Sequence, residues 1–336
     1  MRERARKAGL GLVVASGLVG LGGSGAVAAD EATIMLNWFQ LADHSPLYLA
    51  RERGYYEDEG IDLSIVRGHG SGDTAKKIDL QQAEFGISDV PTVLTAISKG
   101  ADLVVVGMVY DKAANNIFFY KDSGIEEVED LVGKAIAAPP GDSHRFLWPA
   151  LARHHGVDPE AVTLVNVKPE GKQAIVAARN ADAAFDLYTS YPIWEKVLGE
   201  GNVGNLLFAD HGIVLYGHGY IVNKALTEEN PELIEGFLRA TYRGWQDAYD
   251  EREAAIESMM EHVPGIDKEA YLAHFDLVLD LAVTERSQKH GMGWIVPELM
   301  QETHDITHSG GQMDKKLEPL DQYWSNDFNP KVEAPS

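Results

Sequence analysis

Residues 37–50 read Asn-Trp-Phe-Gln-Leu-Ala-Asp-His-Ser-Pro-Leu-Tyr-Leu-Ala and follow a short strand-like run, Ala32–Leu36. The first half is a loop rich in aromatic and polar side chains, and the second half has apolar residues at helical spacing. A strand that ends in such a loop and leads into a helix is typical of the ligand-binding edge of an α/β sheet, where helix N-termini point their N–H groups into the gap. The alternative interpretation is that Trp38 and Phe39 pack in a core, as large aromatic residues usually do.

The alternation of strands and helices continues along the chain. Strand-like runs at 61–66, 84–90 and 103–110 are separated by helical segments, and the pattern restarts with runs at 116–120, 134–138, 162–167 and 181–186. This alternation predicts mostly parallel sheets flanked by helices. We therefore predict an α/β protein with two lobes and a helical C-terminal region. Residues 30–110 form the first lobe in this prediction, and residues 111–212 form the second.

The N-terminus has the three parts of a secretory signal peptide. Arg2, Arg4, Arg6 and Lys7 form a basic head, residues 8–23 are apolar and uncharged, and Ala26-Val27-Ala28 offers small residues to a signal peptidase. The apolar run is too short and too rich in glycine to span a membrane comfortably. We predict that residues 1–29 are removed and that the mature protein is periplasmic.

Composition narrows the possible partners and chemistry. The 336 residues include no cysteine, which excludes disulfides, thiolate metal sites and a cysteine nucleophile. The formal net charge of −23 argues against nucleic acid or an anionic membrane as a partner, since both need clustered Lys and Arg. His304 and His308 are one helical turn apart, but no third metal ligand is evident. We therefore predict no metal, no cofactor and no catalytic residue.

Several polar positions have both a structural and a functional interpretation. The glycine-rich segment 67–73 has the spacing of neither a dinucleotide fingerprint nor a phosphate loop, and predicts either a turn or a close approach to a ligand. Asp89 precedes Pro91 and could cap a helix, as could Asp142 or Ser143 in the segment 139–145. Asp186 ends an apolar strand, and strand ends of this kind usually face a cleft.

Two sets of motifs point to a known family. The first is the opening block, made of Leu36–Phe39, His44–Ala50, Gly54–Tyr56 and Glu59–Leu63. The second comprises Gly70-Ser71-Gly72, Phe85–Asp89 and Leu131–Lys134. Together they resemble the thiamine-pyrimidine-synthase-like family of periplasmic substrate-binding proteins over roughly residues 32–260. The glycine loop and the Gly-Lys turn are shared with relatives that bind sulfonates and nitrate.

This resemblance implies a type II binding-protein fold, in which two crossing segments join the lobes and the ligand lies in the cleft. It implies that residues 213–336 complete the first lobe and that the protein delivers a small molecule to the permease of an ABC importer, with hinges near Tyr110–Ala114 and Gly212–Gly219. We expect a monomer. Residues implied to line the first lobe's side or the crossings are Asn37, Trp38, His44, Ser71, Gly72, Ser88, Asp89, Tyr110, Tyr216 and Gly217. Those implied on the second lobe are Asp142, Ser143, Arg145, Asp186 and Tyr188.

The residue types in this cleft favour one ligand chemistry without deciding it. Trp38 can stack on a flat ring, and carboxylates accept hydrogen bonds from amino groups and repel anions. These features suit a small aromatic heterocycle similar to a thiamine pyrimidine precursor. Arg145 near a helix N-terminus suits a sulfonate, nitrate or aromatic carboxylate instead.

A catalytic branch of the family synthesises the pyrimidine itself with a cysteine-rich motif near the second crossing. The matching stretch here, His211–Tyr220, has no cysteine. The predicted export signal also separates this chain from the compartment of that synthesis. We therefore predict a binding protein and not an enzyme.

Overall fold

The computed structural model describes residues 29–110 and 112–335. The predicted signal peptide therefore lies outside the described residues, except for Ala29. The strands are β1 (Asp30–Met35), β2 (Ile61–Val66), β3 (Phe85–Asp89), β4 (Leu103–Met108), β5 (Asn115–Tyr120), β6 (Ala135–Ala138), β7 (Thr163–Asn166), β8 (Ala183–Leu187), β9 (Val203–Leu207) and β10 (His218–Asn223).

The helices lie between the strands and after them. In chain order they are α1 (Ser45–Glu52), α2 (Tyr55–Asp58), α3 (Ser71–Asp79), α4 (Val90–Ser98), α5 (His144–His154), α6 (Lys172–Ala177), α7 (Tyr191–Leu198), α8 (Lys224–Glu229), α9 (Pro231–Asp250), α10 (Arg252–Met260), α11 (Lys268–Ala282), α12 (Glu285–His290) and α13 (Pro297–Ser309). Among the described residues, no helix is both long enough and apolar enough to cross a bilayer.

Two five-stranded sheets form the centres of the two lobes, and they confirm the predicted α/β architecture. The first sheet has the order β2-β1-β3-β10-β4 and the second has the order β7-β6-β8-β5-β9. In each sheet one strand, β10 or β5, runs antiparallel to both of its neighbours, and the remaining pairs are parallel. Both sheets therefore have the same layout. In each, the antiparallel strand follows a strand of the other sheet in the chain, β5 after β4 and β10 after β9.

The central strands have the composition that their burial requires. All six residues of β4, Leu-Val-Val-Val-Gly-Met, are buried, as expected for a strand covered on both faces. The edge strand β2 instead alternates buried and exposed positions along its first four residues. The C-terminal helices complete the first lobe, since α9 and α10 both pack on α1, and Phe237 stacks on Phe85 with ring centroids 3.9 Å apart.

Two chain segments connect the lobes. Packing changes from one lobe to the other between Tyr110 and Ala113, and again between Leu215 and Tyr216. Ala113 and Leu215 belong to the core around β5–β9, whereas Tyr110 and Tyr216 belong to the cores around the first sheet. The domain boundaries after residues 110 and 212 stay predictions.

The glycine-rich segment differs from its prediction as a loop over residues 67–73. Helix α3 begins at Ser71, so Ser71, Gly72 and Asp73 form its first turn. Gly72 is tolerated there because the first N–H groups of a helix lack partners within it. Its N–H instead donates to the carbonyl of Gly141 in the second lobe, with an N–O distance of 3.2 Å.

The two lobes touch at these glycines. A Cβ atom on Gly70 would lie 2.2 Å from the Gly141 carbonyl oxygen, and Gly70 also has a φ of +131°, which side chains rarely adopt. An ion pair between Arg67 and Glu170, 2.6 Å long, joins the lobes beside this contact. The close approach predicted for the glycine loop is therefore to the opposite lobe's backbone, and it closes one side of the cleft.

Candidate functional site

A cavity with about 390 Å³ of empty space lies between the lobes. It is lined by Asn37, Trp38, Leu41, Asp43, His44, Gly70, Ser71, Asp142, Ser143, His144, Lys172, Asp186, Leu187 and His218. These residues come mainly from the loops after β1, β2, β6 and β7 and from the end of β8. The cavity therefore lies at the carboxyl edges of both sheets, where α/β proteins bind ligands.

A neutral hydrogen-bond chain holds the first-lobe wall. The Leu41 N–H donates to Nδ1 of His44 at 3.1 Å, so Nε2 of His44 carries the proton and donates to Asn37 Oδ1 at 2.9 Å. The Asn37 amide nitrogen then donates to the ring of His218, 3.2 Å from Nε2. Burial lowers the pKa of His44 to about 3 and, although Asp43 opposes the effect, lowers the pKa of His218 to about 4. Both rings are therefore uncharged at neutral pH.

Tyr110 supports this chain from behind. Its hydroxyl lies 2.5 Å from Nδ1 of His218, and its side chain is buried in the first lobe. Burial raises the pKa of Tyr110 well above its ordinary value. Tyr110 is not among the residues that line the cavity. It orients His218 and through it Asn37.

Asp43 carries a carboxylate that the described residues leave unsatisfied. The side chain is 3% exposed, and Oδ1 has no hydrogen-bond partner there. His44 Nδ1 lies 3.4 Å away, but that nitrogen already accepts from Leu41 and has no proton to offer. Burial raises the pKa of Asp43, against the opposing effects of His274 and His218. An acceptor of this kind, at the wall of a cavity, is placed to meet a donor on a ligand.

The second-lobe wall is a closed network of charges. Asp142 Oδ1 lies 2.5 Å from His144 Nδ1 and also accepts the His144 N–H at 3.0 Å, while Oδ2 lies 3.6 Å from the Lys172 ammonium. Burial alone would raise the pKa of Asp142, but His144 and Lys172 outweigh it and lower the pKa to about 2. Asp142 is therefore a charged carboxylate at neutral pH, and its partners, His144 and Lys172, both belong to the protein.

Asp186 is also fully committed to internal contacts. Oδ1 accepts from Lys172 at 2.9 Å and from the Leu187 N–H at 3.0 Å, and Oδ2 accepts from Trp194 at 3.0 Å and Gln173 at 3.3 Å. The ammonium of Lys172 donates as well to the Phe185 carbonyl at 3.0 Å. Asp186 thus fixes Lys172 and α7, which gives it a structural task in addition to its place on the cavity wall.

Trp38 and Lys172 face each other across the cleft. The Lys172 ammonium lies 4.5 Å from the centre of the Trp38 ring, within the range of a cation–π contact. Trp38 is 8% exposed and belongs to the first lobe, whereas Lys172 belongs to the second. The indole is therefore part of the interlobe wall and is not sealed within one lobe's core.

The structure brings some of the predicted site residues to the cavity and places others elsewhere. Those at the wall are Asn37, Trp38, His44, Ser71, Asp142, Ser143 and Asp186. Tyr216 is fully buried in a first-lobe core, where its hydroxyl accepts the Val296 N–H at 2.7 Å. The guanidinium of Arg145 donates to the Ala138 carbonyl at 2.5 Å and to the Asn166 amide oxygen at 2.6 Å. It is therefore bound to strands β6 and β7 of the second sheet.

The remaining predicted residues support the site from outside its lining. Ser88 donates to the Ser71 carbonyl at 3.1 Å, and Gly72 forms the interlobe contact described above. The Gly217 carbonyl accepts the Val90 N–H at 3.0 Å, and Tyr188 is half-buried beside Tyr191. That any of the predicted residues contacts a ligand stays a prediction.

The predicted site set omits four lining residues with polar or charged side chains: Asp43, His144, Lys172 and His218. Asp43 and His144 lie inside stretches singled out from the sequence, directly beside predicted site residues. Lys172 is the first residue of α6, after β7, and His218 is the first residue of β10. Their position at the start of an element is the sequence feature that could have identified them as site residues. The ion pairs of Lys172 join it to Asp186 and Asp142, which are 14 and 30 residues away, so no local sequence pattern indicates them.

Asp89 caps helix α4, as one of its two interpretations predicted. Its Oδ1 accepts from the Thr92 N–H at 3.3 Å and from the Thr92 hydroxyl at 3.2 Å. Burial, opposed by these two bonds, raises the pKa of Asp89 to about 7, and nearby Asp142 adds to the increase. Asp89 is not among the cavity-lining residues.

We expect the Asp89→Asn variant to be more stable than the wild type at pH 8, by about 1–3 kcal/mol. The folded-state pKa is raised above the unfolded value of about 4, so the favourable contribution is present at lower pH and lost as pH rises towards 7. Asn keeps the cap and has no charge to bury. Urea unfolding at pH 5 and pH 8 measures the difference. The control is Asp158→Asn, an exposed cap of a short helical turn, and an equal response of both variants would contradict the prediction.

The two sheets, their shared topology and the interlobe cavity define the fold of periplasmic solute-binding proteins. The periplasmic aliphatic sulphonate-binding protein SsuA from Escherichia coli superposes with a TM-score of 0.64 at 20% identity, over 91% of this chain and 94% of the SsuA chain. At this identity the likeness shows the fold alone.

The chain belongs to the NMT1/THI5-like family, whose model matches residues 41–255. One relative is the 4-amino-5-hydroxymethyl-2-methylpyrimidine phosphate synthase of Legionella pneumophila, 26% identical over 74% of this chain and 79% of its own. Another is the formylaminopyrimidine-binding protein of Halalkalibacterium halodurans, 27% identical over 69% of this chain and 71% of its own. The family predicted from the sequence is thus confirmed, and it includes proteins named for synthesis as well as for binding.

Proposed function

We propose that this protein is the periplasmic solute-binding component of an ABC importer and that it holds a small, amine-bearing aromatic heterocycle between its lobes. The observation that carries the proposal is the carboxylate oxygen Oδ1 of Asp43, which has no hydrogen-bond partner among the described residues and lies in the same cavity as the Trp38 ring. A flat ring stacks on the indole, and an amino group or protonated ring nitrogen donates to Asp43. The formylaminopyrimidine-binding relative supports a ligand of this class.

The positive groups at the cavity are already neutralised, which disfavours an anionic ligand. Lys172 is bound by Asp186 and lies near Asp142, and His144 is bound by Asp142. The N–H that begins α5 also donates to the Asp142 carboxylate. The protein's own carboxylate therefore occupies the position where a sulfonate or nitrate would find its donors. This argues against the second candidate ligand class, although SsuA shares the fold.

Isothermal titration calorimetry of the mature protein with a panel of compounds tests the proposal. We expect 4-amino-5-hydroxymethyl-2-methylpyrimidine or its formylamino analogue to bind with a Kd of about 1 μM or tighter, which corresponds to about −8 kcal/mol. Taurine, nitrate and benzoate should give no heat of binding. Binding of taurine or nitrate alone would overturn the ligand class, and release of a pyrimidine product by the purified protein would overturn the binding-protein assignment.

A further inference from the structure

A second and larger cavity adjoins the first between the lobes. It has about 1070 Å³ of empty space and shares Leu41 and Asp186 with the cavity described above, which we call the inner cavity. Its lining residues are Phe39, Leu41, Glu170, Gln173, Ala174, Asp186, Ser190, Ile193, Lys196, Val197, Gly265, Asp267, Ala270 and Tyr271. We call it the outer cavity. Because two wall residues are common to both, the two cavities lie next to each other.

The outer cavity differs in chemistry from the inner one. Its walls are mainly apolar, with Phe39 from the first lobe opposite Ile193 and Val197 of α7. Tyr271 of α11 adds an aromatic wall whose hydroxyl donates to the Gln40 carbonyl at 3.0 Å, which fixes the ring in place. Apolar walls of this kind bind the uncharged part of a ligand.

Each charged residue that lines the outer cavity has an ion-pair partner in the protein. Glu170 is bound to Arg67, and Lys196 forms an ion pair with Asp267 that joins α7 to α11. Gln173 donates to Asp186, whose oxygens are otherwise taken by Lys172, Trp194 and the Leu187 N–H. Because these charged groups are already paired, a ligand in the outer cavity contacts mainly its apolar walls.

We propose that the outer cavity is a subsite for a second, uncharged ring that is joined to the amine-bearing ring by a short linker. The inference rests on the proposed function, because the amine-bearing ring is the part that Trp38 and Asp43 hold. The inner cavity is the smaller of the two and is lined mainly by polar residues, whereas the outer cavity is larger and mainly apolar, so an added apolar ring belongs in the outer cavity. The linker passes Leu41, and the second ring packs against Phe39 and Tyr271.

Calorimetry with two matched compounds tests the subsite. The first is 4-amino-5-hydroxymethyl-2-methylpyrimidine, and the second is its benzyl ether, which adds an apolar ring through a short linker. We expect the ether to bind at least about tenfold more tightly, because the added ring leaves water for an apolar wall. The Ala174→Trp variant, which fills the outer cavity, should remove this gain and leave the affinity for the parent alcohol unchanged.

Ala178→Trp is the matched control, since Ala178 is exposed one turn along from Ala174 and does not line the outer cavity. It should bind both compounds as the wild type does. If the parent alcohol binds and the ether binds no more tightly, the subsite is overturned and the proposed function stands. An equal loss of both compounds in Ala174→Trp also overturns the subsite. If neither compound binds the wild type, the proposed function fails and the subsite fails with it.

Discussion

Replacing Asp43 with Asn should weaken binding of an aminopyrimidine on the order of 100-fold, or about 2.7 kcal/mol. The carboxylate is buried, and its Oδ1 lacks a partner among the described residues, so a ligand donor gains a charge-assisted hydrogen bond there. Asn has the same shape and a weaker, uncharged acceptor. Calorimetry with the aminopyrimidine identified in the panel measures the loss.

Stability distinguishes a binding role of Asp43 from a structural one. Burial raises the pKa of Asp43, so keeping it ionised in the empty protein costs free energy at neutral pH. Asp43→Asn should therefore unfold in urea at the same or a higher concentration than the wild type at pH 8. Asp62→Asn, at an exposed position of β2, should change neither binding nor stability. A stable Asp43→Asn variant with unchanged affinity would refute the role of Asp43.

Local sequence pattern predicted the fold because the relevant signals are short-range. The run Leu103–Met108 is apolar enough to require burial on both faces, and the segment 37–50 joins a polar loop to an amphipathic helix. One local prediction was wrong in detail, since residues 71–73 of the glycine-rich segment form the first turn of helix α3. The family motifs added the two crossing segments and the ligand cleft between the lobes.

The state of each side chain could not be predicted in the same way, because its partners are distant in sequence. Asp186 was expected to face a ligand, yet its oxygens are taken by Lys172, Trp194 and others. Arg145 was a candidate for binding an anion, but Asn166 of β7 holds it. Asp43 was not predicted as a site residue, although its Oδ1 has no hydrogen-bond partner among the described residues and can accept from a ligand. The sequence places residues near a cleft, and the tertiary contacts decide which of them are available.

Lys172→Met should be the most destabilising of the substitutions considered, lowering the free energy of unfolding by about 3–5 kcal/mol. The ammonium is 2% exposed and compensates Asp186 at 2.9 Å and Asp142 at 3.6 Å. Met fills a similar volume but leaves these buried carboxylates short of positive charge. Urea unfolding of the variant and the wild type at pH 7 measures the loss.

Acid unfolding and a second variant test the charge explanation. In the wild type the pKa of Asp142 is about 2, below its ordinary value, so its contribution to stability is present at neutral pH and is lost as pH falls towards 2. Without Lys172 that pKa rises, and acid unfolding should begin at a higher pH. Adding Asp186→Asn to Lys172→Met should recover part of the stability, because it removes one uncompensated charge.

The matched control is Arg179→Met, which breaks a pair with Asp122 whose side chains are 57% and 69% exposed. Solvent screens that pair, so the change should stay below about 1 kcal/mol. Equal effects of Lys172→Met and Arg179→Met would mean that the buried network does not hold the second-lobe wall. A large loss at Lys172 alone, partly restored by Asp186→Asn, would show that this wall is built from the protein's own charges. Its cations would then be unavailable to an anionic ligand, and recognition would fall to Trp38 and Asp43 on the first lobe.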